Sequence, residues 1–167
     1  GESKAGRLFN RETGRPISAI VPVHVFGHPM AMDELIEVAD SFGIAVVEDA
    51  AEALGSQYKG RQCASMGLLG ASSFNGNKII TTGGGGAVLT NDAELAALAR
   101  HLSTTAKRTH PWAFNHDRVG YNYRMPNINA ALGVSQLQEL PDRVARKRQL
   151  AAAYIDRFIG HPDLRIM

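Results

Sequence analysis

Cysteine is almost missing from this 167-residue chain. Cys63 stands alone, so no intrachain disulfide can form, nothing points to an oxidising compartment, and a spectator thiol is the expected role. No apolar run approaches the roughly 18 to 20 residues that span a bilayer, and the polar start Gly1-Glu2-Ser3-Lys4 is not a secretory signal. Net charge is small as well: the formal value of +2 is too little to argue for nucleic acid. Arg143, Arg146, Lys147 and Arg148 do cluster, but Leu140, Val144, Leu150, Ala151 and Tyr154 interleave with them as on a helix with one solvated basic face. Neither nucleic acid nor a membrane is expected as a partner, no metal site is expected, and a cytoplasmic location is the default. An initiating methionine is lacking too, and polar residues precede the first strand, so a piece of something longer is expected.

What is present is the composition of an ordinary globular protein, 44% hydrophobic and 20% charged, with length for one sizeable core and not for two complete domains. Residues 1–16 read as loop, or as the remnant of an element, with Thr13-Gly14-Arg15-Pro16 as a turn. Ile17 to Phe26 is a strand candidate closed by Gly27-His28-Pro29. Apolar spacing at Leu35, Ile36, Val38, Ala39 and Phe42 predicts a helix from Met32 to Phe42 that Gly43 stops, and Ile44 to Val47 follows as a short buried strand. This is a βαβ unit, whose apolar strands imply a mainly parallel sheet covered by helices. Ala71 to Phe74 and Ala87 to Thr90 are further strands, and Asn91 or Asp92 caps a helix carrying Leu95, Leu98 and Leu102. Residues 103–127 form a long aromatic loop, of a length that is uncommon without a function. Two helices, Asn129 to Leu140 and Val144 to Phe158, are expected on either side of Pro141.

Chemistry concentrates in Ser73-Phe74-Asn75-Gly76-Asn77-Lys78, followed by Thr81, Thr82 and Gly83 to Gly86. A lysine set between a hydroxyl residue and a glycine run suits a phosphate-bearing aldehyde cofactor. The amine can form a Schiff base while Ser73 and backbone N–H groups take the phosphate. Upstream, Val46-Val47-Glu48-Asp49 reads as a buried strand ending in a carboxylate, the kind of group that keeps a pyridine nitrogen protonated. Each piece also has a plain reading: Lys78 as a solvated charge, Asn75-Gly76 as a turn, the glycines as a flexible connection, Asp49 as a cap. Their co-occurrence favours pyridoxal phosphate (PLP).

The run Val47-Glu48-Asp49-Ala50-Ala51-Glu52-Ala53-Leu54-Gly55, then Ser73 through Lys78 with the glycines, then Gly120-Tyr121-Asn122-Tyr123-Arg124-Met125, resembles the PLP-dependent sugar-nucleotide aminotransferases of the DegT/StrS type. The resemblance extends from about Ile17 to Phe158. It implies an α/β three-layer sandwich with a mainly parallel central sheet, the large domain of PLP-dependent transferase fold type I, truncated at both ends. Residues 17–140 would be the PLP-binding portion and 141–167 a helix leading toward a small domain; the family's N-terminal glycine-containing segment and that small domain are lacking. By the same resemblance Lys78 forms the Schiff base and later moves the substrate proton. Asp49 pairs with the pyridinium nitrogen, Ser73 binds the phosphate, and Glu52 lies beside the ring where many members carry His or Gln. Asn122 reaches the phosphate of a neighbouring subunit, which implies a homodimer with shared sites.

His110-Pro111-Trp112 and Asn115-His116-Asp117 resemble the branch that aminates C4 of UDP-linked 4-keto-6-deoxy-N-acetylhexosamines for legionaminic acid, bacillosamine and related surface glycans. Trp112 and His116 are its candidate substrate contacts, and equally packing anchors of their loop. L-Glutamate is the implied amino donor. Related dehydrating enzymes carry histidine where Lys78 stands, so Lys78 implies transamination. Amination at C3, or a PLP-binding module without turnover, are the alternatives.

Overall fold

The computed structural model describes residues 2–4 and 7–164. Its elements are β1 (Glu2–Lys4), β2 (Arg7–Phe9), β3 (Ala19–Ile20), a single 3-10 turn (Val25–Gly27), α1 (Met32–Ser41) and β4 (Ala45–Asp49). There follow β5 (Gln57–Tyr58), β6 (Arg61–Gln62), β7 (Leu69–Ser73), β8 (Gly86–Leu89), α2 (Ala93–Ser103), α3 (Asn127–Gln138) and α4 (Leu140–Phe158).

A four-stranded sheet in the order β3-β4-β7-β8 carries the fold. β3, β4 and β7 run parallel and β8 returns antiparallel to β7, so the sheet is mainly parallel as the apolar strands imply. α1 crosses between β3 and β4 and buries Met32 and Ala39 against Val46 and Met66, with Ile20, Leu35 and Ile36 at the margin. It ends where expected: Phe42 closes the last turn and Gly43, at φ 62°, reverses the chain into β4. Asp92 is the cap of α2. Its Oδ1 accepts from the N–H groups of Glu94 (2.8 Å) and Leu95 (3.0 Å), with Glu94 in the first turn and Arg100 and His101 in the last to suit the helix dipole. β7 needs Gly70, where a Cβ would fall 2.3 Å from the Ala64 carbonyl oxygen.

Two expectations are corrected, and two short strand pairs were not expected. Residues 1–16, read as loop or as the remnant of an element, hold one such pair, β1 antiparallel to β2, with residues 1, 5 and 6 outside the described residues. The strand expected over Ile17 to Phe26 is only Ala19–Ile20 plus a bridge from Val23 to Asp49; Pro22 cannot donate to a ladder, and the chain then coils into the 3-10 turn. β5 and β6 form an unexpected antiparallel pair turned through Lys59 and Gly60, both at positive φ. Pro141 does not separate two helices: it sits in the first turn of α4, where no N–H is needed, and only Glu139 lies between α3 and α4. Residues 165–167 of the 141–167 segment lie outside the described residues. Among the described residues no helix is long and apolar enough to cross a membrane, and no group of three or more His, Cys, Asp or Glu is arranged to hold a metal ion.

Candidate active site

Parallel strands deliver their last residues to one edge of the sheet, where open α/β sheets bind ligands. Asp49 ends β4 and Ser73 ends the adjacent β7, with Asp49 in register with Ala71. The Asp49 backbone is gripped on both sides. Its N–H donates to the Pro22 carbonyl (2.8 Å), its carbonyl accepts from His24 N–H (3.0 Å), and Ala50 N–H donates across to Ala71 (2.9 Å). Its side-chain Oδ1 accepts from Ala51 N–H at 3.1 Å, so it does cap the following turn. Oδ2 takes no donor among the described residues. A carboxylate with one oxygen anchored and the other open fits a protonated ring nitrogen. Ser73 is similarly placed: its Oγ accepts from Asn75 N–H at 3.3 Å, which leaves its hydroxyl proton available to a phosphate.

Between β7 and β8 the chain closes on itself. Phe74 N–H donates to Gly85 (2.9 Å), Thr82 N–H to Phe74 (3.0 Å), and Lys78 N–H to Asn75 (3.1 Å). Helix α3 pins the far side: Gln136 Oε1 accepts from Thr81 N–H at 2.9 Å, and the Asn129 amide donates to the Thr82 carbonyl. Ile80 and Thr82 are buried. Lys78 therefore stands on a loop fastened at its base, and its side chain is only 18% exposed. Its Nζ lies 3.7 Å from Oε1 of Glu52, close enough for charge attraction and too long for a hydrogen bond. The other oxygen of Glu52 accepts from Phe26 N–H at 2.8 Å. Lys78, Glu52, Asp49 and Ser73 thus come from two strand ends and the segments that leave them, and these residues fit PLP.

The remaining expected residues belong to a different part of the chain. Residues 104–122 make a hairpin-like excursion bridged at Thr104 to Asn122 and at Lys107 to His116. His101 and Asp117, 2.7 Å apart, fasten it; the His101 side chain and the nearby Arg108 hold the Asp117 carboxyl below its ordinary range against a smaller opposing effect of burial. His116 Nδ1 hydrogen-bonds the Thr105 carbonyl at 2.7 Å, so one of its nitrogens serves the loop. Trp112 is 86% exposed. The Asn122 side chain has no hydrogen-bond partner among the described residues. No hydrogen bond or ion pair described joins Trp112, His116 or Asn122 to Asp49, Glu52, Ser73 or Lys78. A cavity of about 830 Å³ is lined by Ala71, Ser72, Gly86, Val88, Arg100 and Met125 among others, and none of the expected site residues lines it.

Sequence reading missed the residue that organises the edge. Glu48 alternates with Asp49 and shares the core face of β4 with Val46. It is fully buried and collects four donors: His24 Nε2 (3.0 Å) and Ala64 N–H (2.8 Å) on Oε2, and Met66 and Gly67 N–H (2.6 Å each) on Oε1. Burial pushes its carboxyl up, but the Gly67 N–H, the His24 ring and the Ala64 and Met66 N–H groups together outweigh it and hold the carboxyl below its ordinary range.

Comparison with known proteins places the chain. The DegT/DnrJ/EryC1/StrS aminotransferase family matches residues 2–166, and the chain belongs to it. It is 46% identical over 136 residues to a GDP-perosamine synthase of Escherichia coli O157:H7, covering 81% of this chain and 37% of that protein. It is 37% identical over 155 residues to a UDP-4-amino-4,6-dideoxy-N-acetyl-beta-L-altrosamine transaminase of Campylobacter jejuni, covering 91% and 40%. Among solved structures, Helicobacter pylori PseC, an aminotransferase involved in the biosynthesis of pseudoaminic acid, superposes with a TM-score of 0.84 at 29% identity, covering 87% of this chain and 39% of that one. The fold is that of the PLP-dependent aminotransferases of fold type I, and PLP is the family's cofactor. The chain spans about two fifths of the length of these relatives.

Proposed function

We propose that this chain is the cofactor-bearing part of an aminotransferase that moves an amino group from L-glutamate to C4 of a nucleotide-linked, UDP-linked, 4-keto-6-deoxy sugar for surface-glycan biosynthesis. Residues 17–140 form the PLP-binding portion and α4 leads toward a small domain; a cytoplasmic location goes with this reading. The observation that carries it is the Lys78 amine, held beside Glu52 on a fastened loop at the strand edge where Asp49 and Ser73 end. Bound PLP supplies an electron sink for the charge left at Cα when the donor loses its proton. Lys78 takes and returns that proton, Asp49 keeps the ring nitrogen protonated, Ser73 holds the phosphate, and Glu52 holds the amine in place.

The test is an absorbance spectrum of the full gene product with PLP, before and after L-glutamate, followed by a screen of UDP-, GDP- and dTDP-linked keto sugars. A glutamate-dependent spectral change, borohydride-fixed PLP on Lys78, and an amino sugar formed from the UDP-linked 4-keto substrate are expected. Bound PLP with no response to glutamate would leave a binding module. Amination of a 3-keto sugar instead would move the reading to C3, as the 38% identity to a dTDP-3-amino-3,4,6-trideoxy-alpha-D-glucose transaminase of Streptomyces venezuelae allows.

A second copy of the chain completes the site in this reading. Asn122 is exposed and its amide has no partner among the described residues; it lies between exposed, mutually stacked Tyr121 and Tyr123 and close in sequence to exposed Ile128, an aromatic and apolar surface suited to a subunit contact. Mixing an N122A chain with a K78A chain is expected to restore up to about half of wild-type activity in verified heterodimers, where one of the two shared sites is intact, and so about a quarter in a random mixture of which about half the dimers are heterodimers. No recovery would place Asn122 in its own subunit's loop.

A further inference from the structure

Among the described residues the buried pair His24 and Glu48 makes no hydrogen bond or ion pair with the Lys78 amine, yet it connects to it through a short series of contacts. His24 is 1% exposed, and both of its nitrogens are engaged. Nδ1 accepts from Met30 N–H at 3.2 Å, so Nε2 carries the proton and donates to Glu48 Oε2 at 3.0 Å. Only in that arrangement are all three groups satisfied. The four donors on Glu48 come from the segment before α1 and from both sides of the Ala64 to Gly67 stretch, so one carboxylate ties these segments to β4.

The 3-10 turn starts directly at His24, with Gly27 N–H on the His24 carbonyl (3.1 Å) and His28 N–H on Val25 (3.0 Å). Inside it Phe26 adopts φ 53°, ψ 23°, a conformation that a bulky aromatic rarely takes. Phe26 is 83% exposed, so packing does not hold it there. What faces inward is its N–H, which donates to Glu52 Oε2; Gly27 beside it lies against the Glu52 backbone, where a Cβ would fall 3.0 Å from the carbonyl oxygen. Backbone outliers of this sort persist where the surroundings enforce them. Here the enforcement is the His24 anchor on one side and the Glu52 carboxylate on the other.

We propose that His24 and Glu48 are positioning residues: they fix the His24–Gly27 turn so that Phe26 N–H orients the Glu52 carboxylate toward the Lys78 amine. The inference rests on the reading of Lys78 as the cofactor-binding amine. It assigns a role in the site to two residues that touch neither cofactor nor substrate.

The experiment is a double-mutant cycle on PLP affinity in the full gene product, with folding checked by circular dichroism. Glutamine at position 24 can still reach Glu48 through its amide, whereas asparagine can replace only the Met30 contact. H24Q is expected to bind PLP within about threefold of wild type, and H24N about 10-fold more weakly, the size of a coupling between contacting groups. E52A is expected to weaken PLP similarly, and H24N in the E52A background to add less than about twofold. Equal losses from H24N in both backgrounds would make His24 a fold-stabilising residue alone and overturn the inference. Hydrogen exchange supplies a second check that needs no His24 variant: the Phe26 amide is expected to be protected in wild type and to lose that protection in E52A. Rapid exchange of that amide in the wild-type protein would overturn it too. Borohydride-fixed PLP on a lysine other than Lys78 would instead sink the assignment of the amine, whatever the cycle shows.

Discussion

In the proposed reading Lys78→Ala is expected to abolish borohydride-fixed PLP and to lower transamination by at least about 10⁴-fold, because it would remove both the covalent anchor and the group that handles the proton. The fold should survive. Ile80 and Thr82 hold the loop through their own burial, Thr81 and Thr82 remain bonded to Gln136 and Asn129, and the ion pair lost with Glu52 has no hydrogen-bond geometry. A loss of unfolding free energy of about 1 kcal/mol is therefore expected, from the covered stem of the side chain and not from the loop's own bonds. Mass spectrometry of the reduced protein and a stopped assay with glutamate read the two effects separately. An adduct that survives the substitution would show that another lysine is the acceptor. A protein that keeps PLP noncovalently but turns over nothing would locate the loss in proton transfer and anchoring rather than in binding.

Much of the candidate site was legible because the proposed chemistry needs residue types that are conspicuous in sequence. A lysine between Ser73 and a run of four glycines, and an acid at the end of Val46-Val47-Glu48-Asp49, stand out without any coordinates. The frame was legible for a related reason: α1 and α2 are amphipathic and punctuated, by Gly43 at one end and Asp92 at the other. What could not be read is which of two adjacent acids faces the core. Alternation along β4 assigns Glu48 to the Val46 side and Asp49 to the opposite one, but that needs the burial of the strand and not its composition. The partner His24 is 24 residues upstream in a segment that resembled strand until Pro22 interrupted it. The β5–β6 pair did carry a signal in Lys59-Gly60, yet strands of two residues have no periodicity to detect. Pro141 misled in the opposite sense, since proline ends a helix from within but starts one at its first turn.

Glu48→Ala is expected to cost about 3 to 5 kcal/mol of stability, the largest structural effect of any single substitution proposed for this chain. The side chain itself is not the main loss. Removing it leaves the His24 Nε2–H and the N–H groups of Ala64, Met66 and Gly67 buried or nearly so without an acceptor, and each such orphan carries its own desolvation cost. Glu48→Gln keeps the shape and one acceptor oxygen but points an amide at donors, so an intermediate loss of about 1 to 3 kcal/mol is expected. The charge also predicts a pH dependence with a definite sign. Because the fold holds this carboxyl below its ordinary range, the native state binds the proton less readily than the unfolded chain does. Its stabilisation is fully present above the ordinary glutamate range, near pH 4.3, and is lost as pH falls through the lower folded value. Urea unfolding midpoints from pH 7 down to pH 3 should therefore drop more steeply for the wild-type protein than for E48Q, so that the two curves converge in acid. Parallel curves would mean that the four donors hold Glu48 by shape alone and that its charge contributes nothing to the fold.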